Sequence, residues 1–193
     1  MIAVWIIVAV VVVLAIYLIA LYNGLVQKRN RVDNSWAQIE VQLKRRRDLI
    51  PNLVEAVKGY AAHERGTFEA VTQARAAAAG AQTPAAIGAA EGMLSQALGR
   101  LFAVAEAYPE LKANQNFLDL QSQLKDTEDK IAISRQVYND TVLTFNNAIQ
   151  VFPAVLVAGA LGFRKRDFFE IENAGDREPP AVSFGPGAPA PGA

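Results

Sequence analysis

The sequence contains no cysteine, which excludes disulfide bonds, thiolate nucleophiles and cysteine-ligated metal sites together. Its one histidine, His63, cannot supply the two Glu-x-x-His pairs of a carboxylate-bridged di-iron bundle or the ligand set of a zinc site. There is no G-x-S-x-G elbow and no Gly-rich phosphate loop at a strand–helix junction. We therefore expect no cofactor, no metal and no small-molecule substrate site.

A charge surplus is also missing, because 19 basic side chains balance 19 acidic ones. Binding to nucleic acid needs a basic surplus on one face to neutralise phosphates. Nucleic acid is therefore not expected among the partners.

The first apolar run, Ile2 to Tyr22, has 21 residues without a charge or a proline. As a helix it spans roughly 31 Å, which matches a hydrocarbon core of about 30 Å. A cleaved signal peptide is disfavoured, because the run is too long, no basic residue precedes it and its end is bulky. We expect residues 1–23 to be a transmembrane anchor in contact with the lipid bilayer.

The basic residues nearest to this run, Lys28, Arg29 and Arg31, all follow it. The positive-inside bias then predicts an N-terminus outside and a C-terminal domain in the cytoplasm. Trp5 and Tyr22 lie near the two ends of the run, where interfacial aromatic residues are expected.

Residues 24–171 are predicted to form an all-α domain, because apolar residues recur at heptad spacing and no hairpin signal is present. The first series comprises Val32, Ile39, Arg46, Leu53 and Tyr60, and its companion comprises Trp36, Leu43, Ile50, Val57, Glu64 and Val71. A second helix, from about Pro84 to Tyr108, repeats Ile87, Leu94, Leu101 and Tyr108. A third, from about Ala113 to Phe152, repeats Phe117, Leu124, Ile131, Tyr138, Phe145 and Phe152. Such rows predict an antiparallel long-helix bundle in which the third helix faces the first.

Turn and capping residues mark the helix ends. Thr83 precedes Pro84 in the pattern of an N-cap followed by a proline at the first helical position. Pro109 ends the second helix, and Asn114 or Asn116 can cap the third. Pro51 removes a backbone donor within a continuous heptad phase, so we expect a kink in one long rod, with a helix–helix corner as the alternative.

Beyond Phe152 the pattern changes. The ten residues after Pro153, AVLVAGALGF, are too short to cross a bilayer. Their expected role is to close the bundle, with contact to the membrane surface as the alternative. Residues 172–193 are rich in Pro, Gly and Ala and are predicted to be disordered.

The sequence strings that contain these features resemble the LemA family of bacterial membrane-anchored helical proteins. The resemblance lies in Tyr22 to Glu64, with DLIPNLVE, in Tyr108 to Pro153, with YPELKANQNF, and in the later GF and FFE. Its motif residues here are Asp48, Pro51, Asn52, Tyr108, Pro109 and Asn116. The resemblance implies an extracytoplasmic N-terminus, one membrane helix and a four-helix-type antiparallel bundle, with the fourth helix produced by a division near Pro51. It implies no established activity.

Two charged residues, Arg46 and Glu64, interrupt the first heptad seam. A charge in a bundle core is costly unless it is paired, so we expect both near the interface of a homo-oligomer. In the rival interpretation the chain is a monomer and both side chains reach solvent at kinks or helix ends.

Two classes of function remain. The first is a non-catalytic scaffold or adaptor on the cytoplasmic face, with copies of itself, other membrane proteins or both as partners. The second is an enzyme with an unrecognised site that combines His63 with the carboxylates Asp119, Asp126, Glu128 and Asp129. The direction of these carboxylates separates the two, because a run of charged residues is normally the solvated face of a helix.

Overall fold

A computed structural model describes residues 1–170 and confirms the all-α prediction for this part of the chain. Its elements are α1 (Ile2–Lys58), α2 (Arg65–Gly80), α3 (Pro84–Glu106), α4 (Pro109–Lys112), α5 (Gln115–Gln150) and a short 3₁₀ turn (Ala154–Leu156). The predicted second and third helices correspond to α3 and α5. The tail predicted for residues 172–193 lies outside the described residues.

The N-terminal third of α1 has no protein neighbours. Residues 1–20 are all exposed, and an 18-residue window of this helix has a mean hydropathy of 3.2 with none of its residues buried. Exposed apolar side chains on every face of a helix are suited to a lipid environment. Among the described residues, this is the one helix long and apolar enough to cross a membrane.

The remainder of α1 packs antiparallel against α5. Ser35 lies opposite Thr141, with their hydroxyl oxygens 2.9 Å apart, and further along α1 Arg46 meets Glu128. The predicted seam of α5 is confirmed, since its members are all buried: Phe117, Leu124, Ile131, Tyr138 and Phe145. On α1 the expected partners Ile39, Leu43, Leu53 and Val57 are buried, and Trp36 is half-buried.

Helices α2 and α3 pack on the half of the bundle far from the apolar run. Leu94, Leu98 and Leu101 of α3 join Leu53 and Val57 of α1 in one apolar cluster. The predicted caps are present. The Thr83 side chain accepts a hydrogen bond from the Ala86 N–H, and the Asn114 side chain accepts one from the Phe117 N–H.

The expectation of one continuous helix through Pro51 is confirmed, and the helix–helix corner considered there as the alternative lies elsewhere. Helix α1 continues through Pro51 to Lys58, and the corner that starts α2 is formed by residues 59–64. The division near Pro51 that the resemblance implied was wrong, and so was the extension of the first seam to Val71 within one helix. Val71 of α2 is fully buried, so the heptad spacing of buried residues continues across the corner. The spacing alone therefore does not reveal where the chain turns.

Pro51 is accommodated by a side chain from the next helix. Proline has no N–H, so it leaves the carbonyl of Arg47, four residues earlier, without its intrahelical partner. The Arg75 Nε of α2 donates to this carbonyl at 2.9 Å. Arg47 in turn donates from Nη1 to the Ala78 carbonyl at 3.2 Å. The Arg47 carbonyl, which lacks its helical donor, thus accepts a hydrogen bond from α2 and contributes to the contact between the two helices.

The segment after α5 turns back along the bundle. Ala154, Ala158 and Phe163 are buried, which agrees with the expected packing role. Phe152, however, lies beyond the end of α5 and is 79% exposed, so the predicted extension of the heptad row to this residue was wrong. The heptad count continued past Gln150, where the helix ends.

We predict that the hydrogen bond from Arg75 to the Arg47 carbonyl stabilises the protein more when residue 51 is proline than when it is alanine. Arg75→Ala should lower the free energy of unfolding by about 1–3 kcal/mol, because it leaves a backbone acceptor without its charged donor. In a Pro51→Ala background the new N–H can bond to the Arg47 carbonyl, so the same substitution should cost less. Urea unfolding of the four proteins, followed by circular dichroism, gives this coupling energy.

The matched control is Arg65→Ala, which removes an exposed arginine from the first turn of the same helix and should stay within about 0.5 kcal/mol of the parent. An equal cost of Arg75→Ala in both backgrounds would show that Arg75 does not replace the missing helical bond.

Candidate functional site

The most unusual polar feature of the bundle is Arg46, which is only 2% exposed. Its Nη1 donates to Glu91 Oε2 at 3.0 Å. Its Nη2 donates to Ser95 Oγ at 2.8 Å and to Glu128 Oε1 at 2.9 Å. Because these partners lie on α3 and α5, one guanidinium connects three helices.

Glu91 is fully buried and holds the network at its inner end. Burial raises the pKa of its carboxyl above the ordinary value of 4.5, against the opposing effects of the Arg46 and Arg47 charges. The carboxylate is incompletely satisfied, since Glu91 Oε1 has no hydrogen-bond partner among residues 1–170 and Arg47 Nη1 is 3.9 Å from that oxygen. Desolvation by burial is the largest influence on the pKa of Glu91.

The outer end of the network opens to solvent. Arg46 and Glu128 line a groove of about 390 Å³ together with Ser95, Phe102 and Arg135. Glu128 is 48% exposed, so its bond to Arg46 is screened by water. Since every terminal nitrogen of Arg46 is already engaged, the arrangement is suited to fixing helices in register.

The two charged seam residues are accommodated within one chain. Arg46 is paired inside the bundle, and Glu64 is the N-cap residue of α2, half-buried at a helix end. Pairing with Glu91 removes the cost that motivated an interface at Arg46, and the homo-oligomer itself stays a prediction. Neither residue now supplies a reason to place an oligomer interface at its position.

A second polar arrangement attaches the C-terminal segment to α5. The Asn146 side chain donates to the Arg166 carbonyl and accepts from the Arg166 N–H, both at 2.9 Å. Asn139, one heptad earlier, exchanges the same two bonds with Phe169, at 3.1 and 2.9 Å. Each asparagine thus exchanges two hydrogen bonds with the backbone of one residue of the segment 166–169.

Aromatic packing completes this attachment. Phe169 is fully buried, with its ring centroid 5.5 Å from that of Trp36. Tyr138 donates its hydroxyl to the Asp167 carbonyl at 2.8 Å, and burial raises the pKa of this phenol. A side chain at Gly88 of α3 would overlap the Glu170 carbonyl, so α3 approaches this segment through a glycine.

Neither Asn139 nor Asn146 was predicted from the sequence to bind this segment. The usable signal was their spacing, because Asn139 and Asn146 are seven residues apart on the edge of the seam that contains Tyr138. Their partners could not be identified, since backbone groups carry no mark in a sequence.

The family-like motif residues are not gathered into one site. Asp48, Pro51 and Asn52 are exposed on α1, and Asn116 is exposed in the first turn of α5. Pro109 begins α4, and Tyr108 is its half-buried N-cap residue.

The proposed catalytic carboxylates face solvent. Asp119, Asp126, Glu128 and Asp129 are exposed on α5, and His63 is exposed in the corner between α1 and α2. Glu128 accepts from Arg46, and Asp119 accepts from Gln115 on its own helix at 2.8 Å. Within residues 1–170 no group of three or more histidine, aspartate and glutamate side chains could hold a metal ion. The geometry thus offers the enzyme alternative no support.

We predict a specific pH dependence for Glu91. A raised folded-state pKa means that the folded protein holds this proton more tightly than the unfolded chain. The stability that Glu91 contributes is then fully present below its unfolded pKa of about 4.5 and is lost as the pH rises through the folded pKa. The free energy of unfolding of the parent, minus that of Glu91→Gln, should therefore fall as the pH rises above about 4.5.

This difference cancels the titration of the other carboxyl groups and is measured by urea unfolding at a series of pH values. A difference that instead grows with pH would mean that Arg46 depresses the pKa of Glu91, so that pairing outweighs desolvation.

Comparison with known proteins agrees with this architecture. Magnetosome protein MamQ of Magnetospirillum gryphiswaldense is 28% identical over 181 residues, covering 80% of this chain and 66% of that protein. Magnetosome protein MamQ 2 of Paramagnetospirillum magneticum gives the same values. Protein LemA of Metamycoplasma hominis is 27% identical over 143 residues, covering 72% of this chain and 64% of that protein.

The chain spans just under two thirds of the length of these relatives. The family model described as the LemA family matches residues 35–184, which is more than half of the chain. That range includes α1 from Ser35 onwards, all of α2 to α5 and the attached C-terminal segment. By this match, the chain is a membrane-associated helical protein that belongs to the LemA family.

Proposed function

We propose that this protein is a membrane-tethered interaction protein, a scaffold or adaptor that holds a helical bundle close to the membrane and presents it to helical partners. One observation carries the proposal: the apolar run and the central helix of the bundle are the same uninterrupted helix, α1. A continuous helix transmits position and orientation, whereas a flexible linker does not.

The surface best suited to a partner is the outward ridge of α5, formed by Ile133, Val137, Asp140 and Thr144. Ile133 is 64% exposed and Val137 is also exposed, four residues later on the same helical face. Open grooves lie on both sides of this ridge. One, of about 660 Å³, runs between α5 and Phe169, and the other, of about 220 Å³, runs between α5 and the Lys28–Arg31 turn of α1.

A ridge between two grooves is the shape that a second helix packs against. The partners that fit are another membrane protein or a second copy of this chain. An anchor confined to the membrane raises the effective concentration of either one. Self-association therefore stays within the proposal, through the α5 ridge and not through Arg46.

We expect a photo-cross-linking side chain at Ile133 or Val137 to form one discrete adduct in intact membranes at native expression. The same group at Gln73, an exposed position on α2, should not form it. Val137→Asp should remove the adduct made from Ile133, because a carboxylate in an apolar contact is desolvated without a partner. Gln73→Asp is the matched control and should leave the adduct unchanged.

The mass of the adduct separates the two kinds of partner, since a second copy would give about twice the 20.8 kDa of the chain. Equal adduct formation at Ile133, Val137 and Gln73, or none at any of them, would contradict an interaction surface on the α5 ridge.

We propose further that the bundle lies in the cytoplasm and that the span crosses the inner membrane once. The supporting observation is that Arg164, Lys165 and Arg166 are exposed at the same end of the bundle as Lys28, Arg29 and Arg31. The Arg166–Asp33 ion pair, at 2.8 Å, brings the two basic clusters together. Basic residues next to a span are concentrated on the cytoplasmic side.

This topology can be tested with single cysteines, because the chain has none of its own. A membrane-impermeant maleimide should label Lys44→Cys in inverted membrane vesicles and leave it unlabelled in intact spheroplasts. Leu14→Cys, in the middle of the apolar run, should stay unlabelled in both preparations. Labelling of Lys44→Cys in intact spheroplasts would place the bundle outside the cytoplasm.

A further inference from the structure

The segment that joins α5 to the asparagine-bound residues 166–169 exposes large apolar side chains. Phe152 is 79% exposed and Leu156 is 71% exposed. Three neighbours are exposed as well: Val151, Val155 and Leu161. We call residues 151–162 the apolar turn. Five large apolar side chains within twelve residues form a patch of the kind that marks an interaction site.

The apolar turn lies at the level where α1 leaves the proposed membrane span. Ser35 lies opposite Thr141, so about ten residues further along the antiparallel pair the end of α5 is level with Leu25 and Val26. Ile149, Ala158 and Phe163 share an apolar cluster with Leu25, and Leu21 and Val26 pack against it. The ring of Phe163 is 5.7 Å from that of Tyr22, the last residue of the apolar run.

Basic side chains lie on the side of the apolar turn that faces away from the span. The Arg29 guanidinium lies over the Phe163 ring, 5.5 Å from its centroid, and Arg166 is bonded to Asp33. Arg164 and Lys165 are exposed beside them. There is no acidic residue from Val151 to Arg166. Apolar side chains towards the bilayer, with cations one step further out, match the order of hydrocarbon and phosphate in a leaflet.

We propose that the apolar turn inserts into the interfacial region of the leaflet from which α1 emerges, with Phe152 and Leu156 among the acyl chains. The inference rests on the proposed membrane span, since the bilayer must surround Ile2 to Tyr22 for this turn to reach it. A second attachment point beside the span would fix the tilt and rotation of the bundle, which one helix alone leaves free.

The absence of native cysteine allows a direct test with single nitroxide labels on the full chain. Phe152→Cys and Leu156→Cys report on the apolar turn, and Leu14→Cys reports on the span. Ile133→Cys is the matched control, because Ile133 is also a largely exposed apolar residue, 64% exposed, and lies on the middle of α5. Each protein is placed in nanodiscs of phosphatidylcholine and phosphatidylglycerol, with one protomer in each disc. Collision rates with oxygen and with a water-soluble nickel chelate are then measured.

Oxygen concentrates in hydrocarbon and the chelate concentrates in water. The ratio of oxygen to nickel collisions should therefore be several-fold higher for labels at Phe152 and Leu156 than at Ile133, and should approach the ratio at Leu14. A low ratio at Phe152 and Leu156 with a high ratio at Leu14 would overturn the inference and leave the span intact.

Low collision rates with both reagents at Phe152 and Leu156 would show that protein covers the turn, which also overturns the inference. A low ratio at Leu14 would overturn the span itself, and the inference with it.

Discussion

Helix α1 has to be stable in two environments, because its first part has no protein neighbours and its second part is packed inside the bundle. Its first twenty residues expose apolar side chains on every face, and its remainder carries the buried seam against which α5 packs. A helix is the conformation that allows this, because all its backbone hydrogen bonds are internal and do not depend on the surrounding solvent. Pro51 is the exception within α1, because it leaves the Arg47 carbonyl without its helical donor. Arg75 of α2 donates a hydrogen bond to this carbonyl in its place.

Polar contacts fix the register of the helices, which the apolar heptad residues alone leave undetermined. A seam of leucine, isoleucine and phenylalanine can slide by one heptad at little cost, whereas a buried polar group tolerates only the register that pairs it. Arg46 performs this role among α1, α3 and α5, and Asn139 and Asn146 perform it for the C-terminal segment. The bundle is thus held in register by a small number of side chains.

The heptad pattern and the capping residues predicted the helices and the buried seam of α5. The α5 seam and the Thr83 and Asn114 caps could be read from residue type and spacing. The corner at residues 59–64 could not, because Val71 continues the phase of the preceding helix. The partner of Arg46 could not be identified, because Glu91 lies 45 residues away on another helix. Pairings between distant segments depend on how helices are arranged, and periodicity does not report that.

The central claim, that span and bundle share one rigid helix, can be tested by a distance across the membrane boundary. Spin labels at Leu14 and Lys44, introduced as cysteines, measure it by double electron–electron resonance in nanodiscs. A continuous helix predicts a narrow distribution centred near about 45 Å, from thirty residues at about 1.5 Å each. A broad distribution, or one centred well below this distance, would mean that the helix is interrupted between the membrane and the bundle.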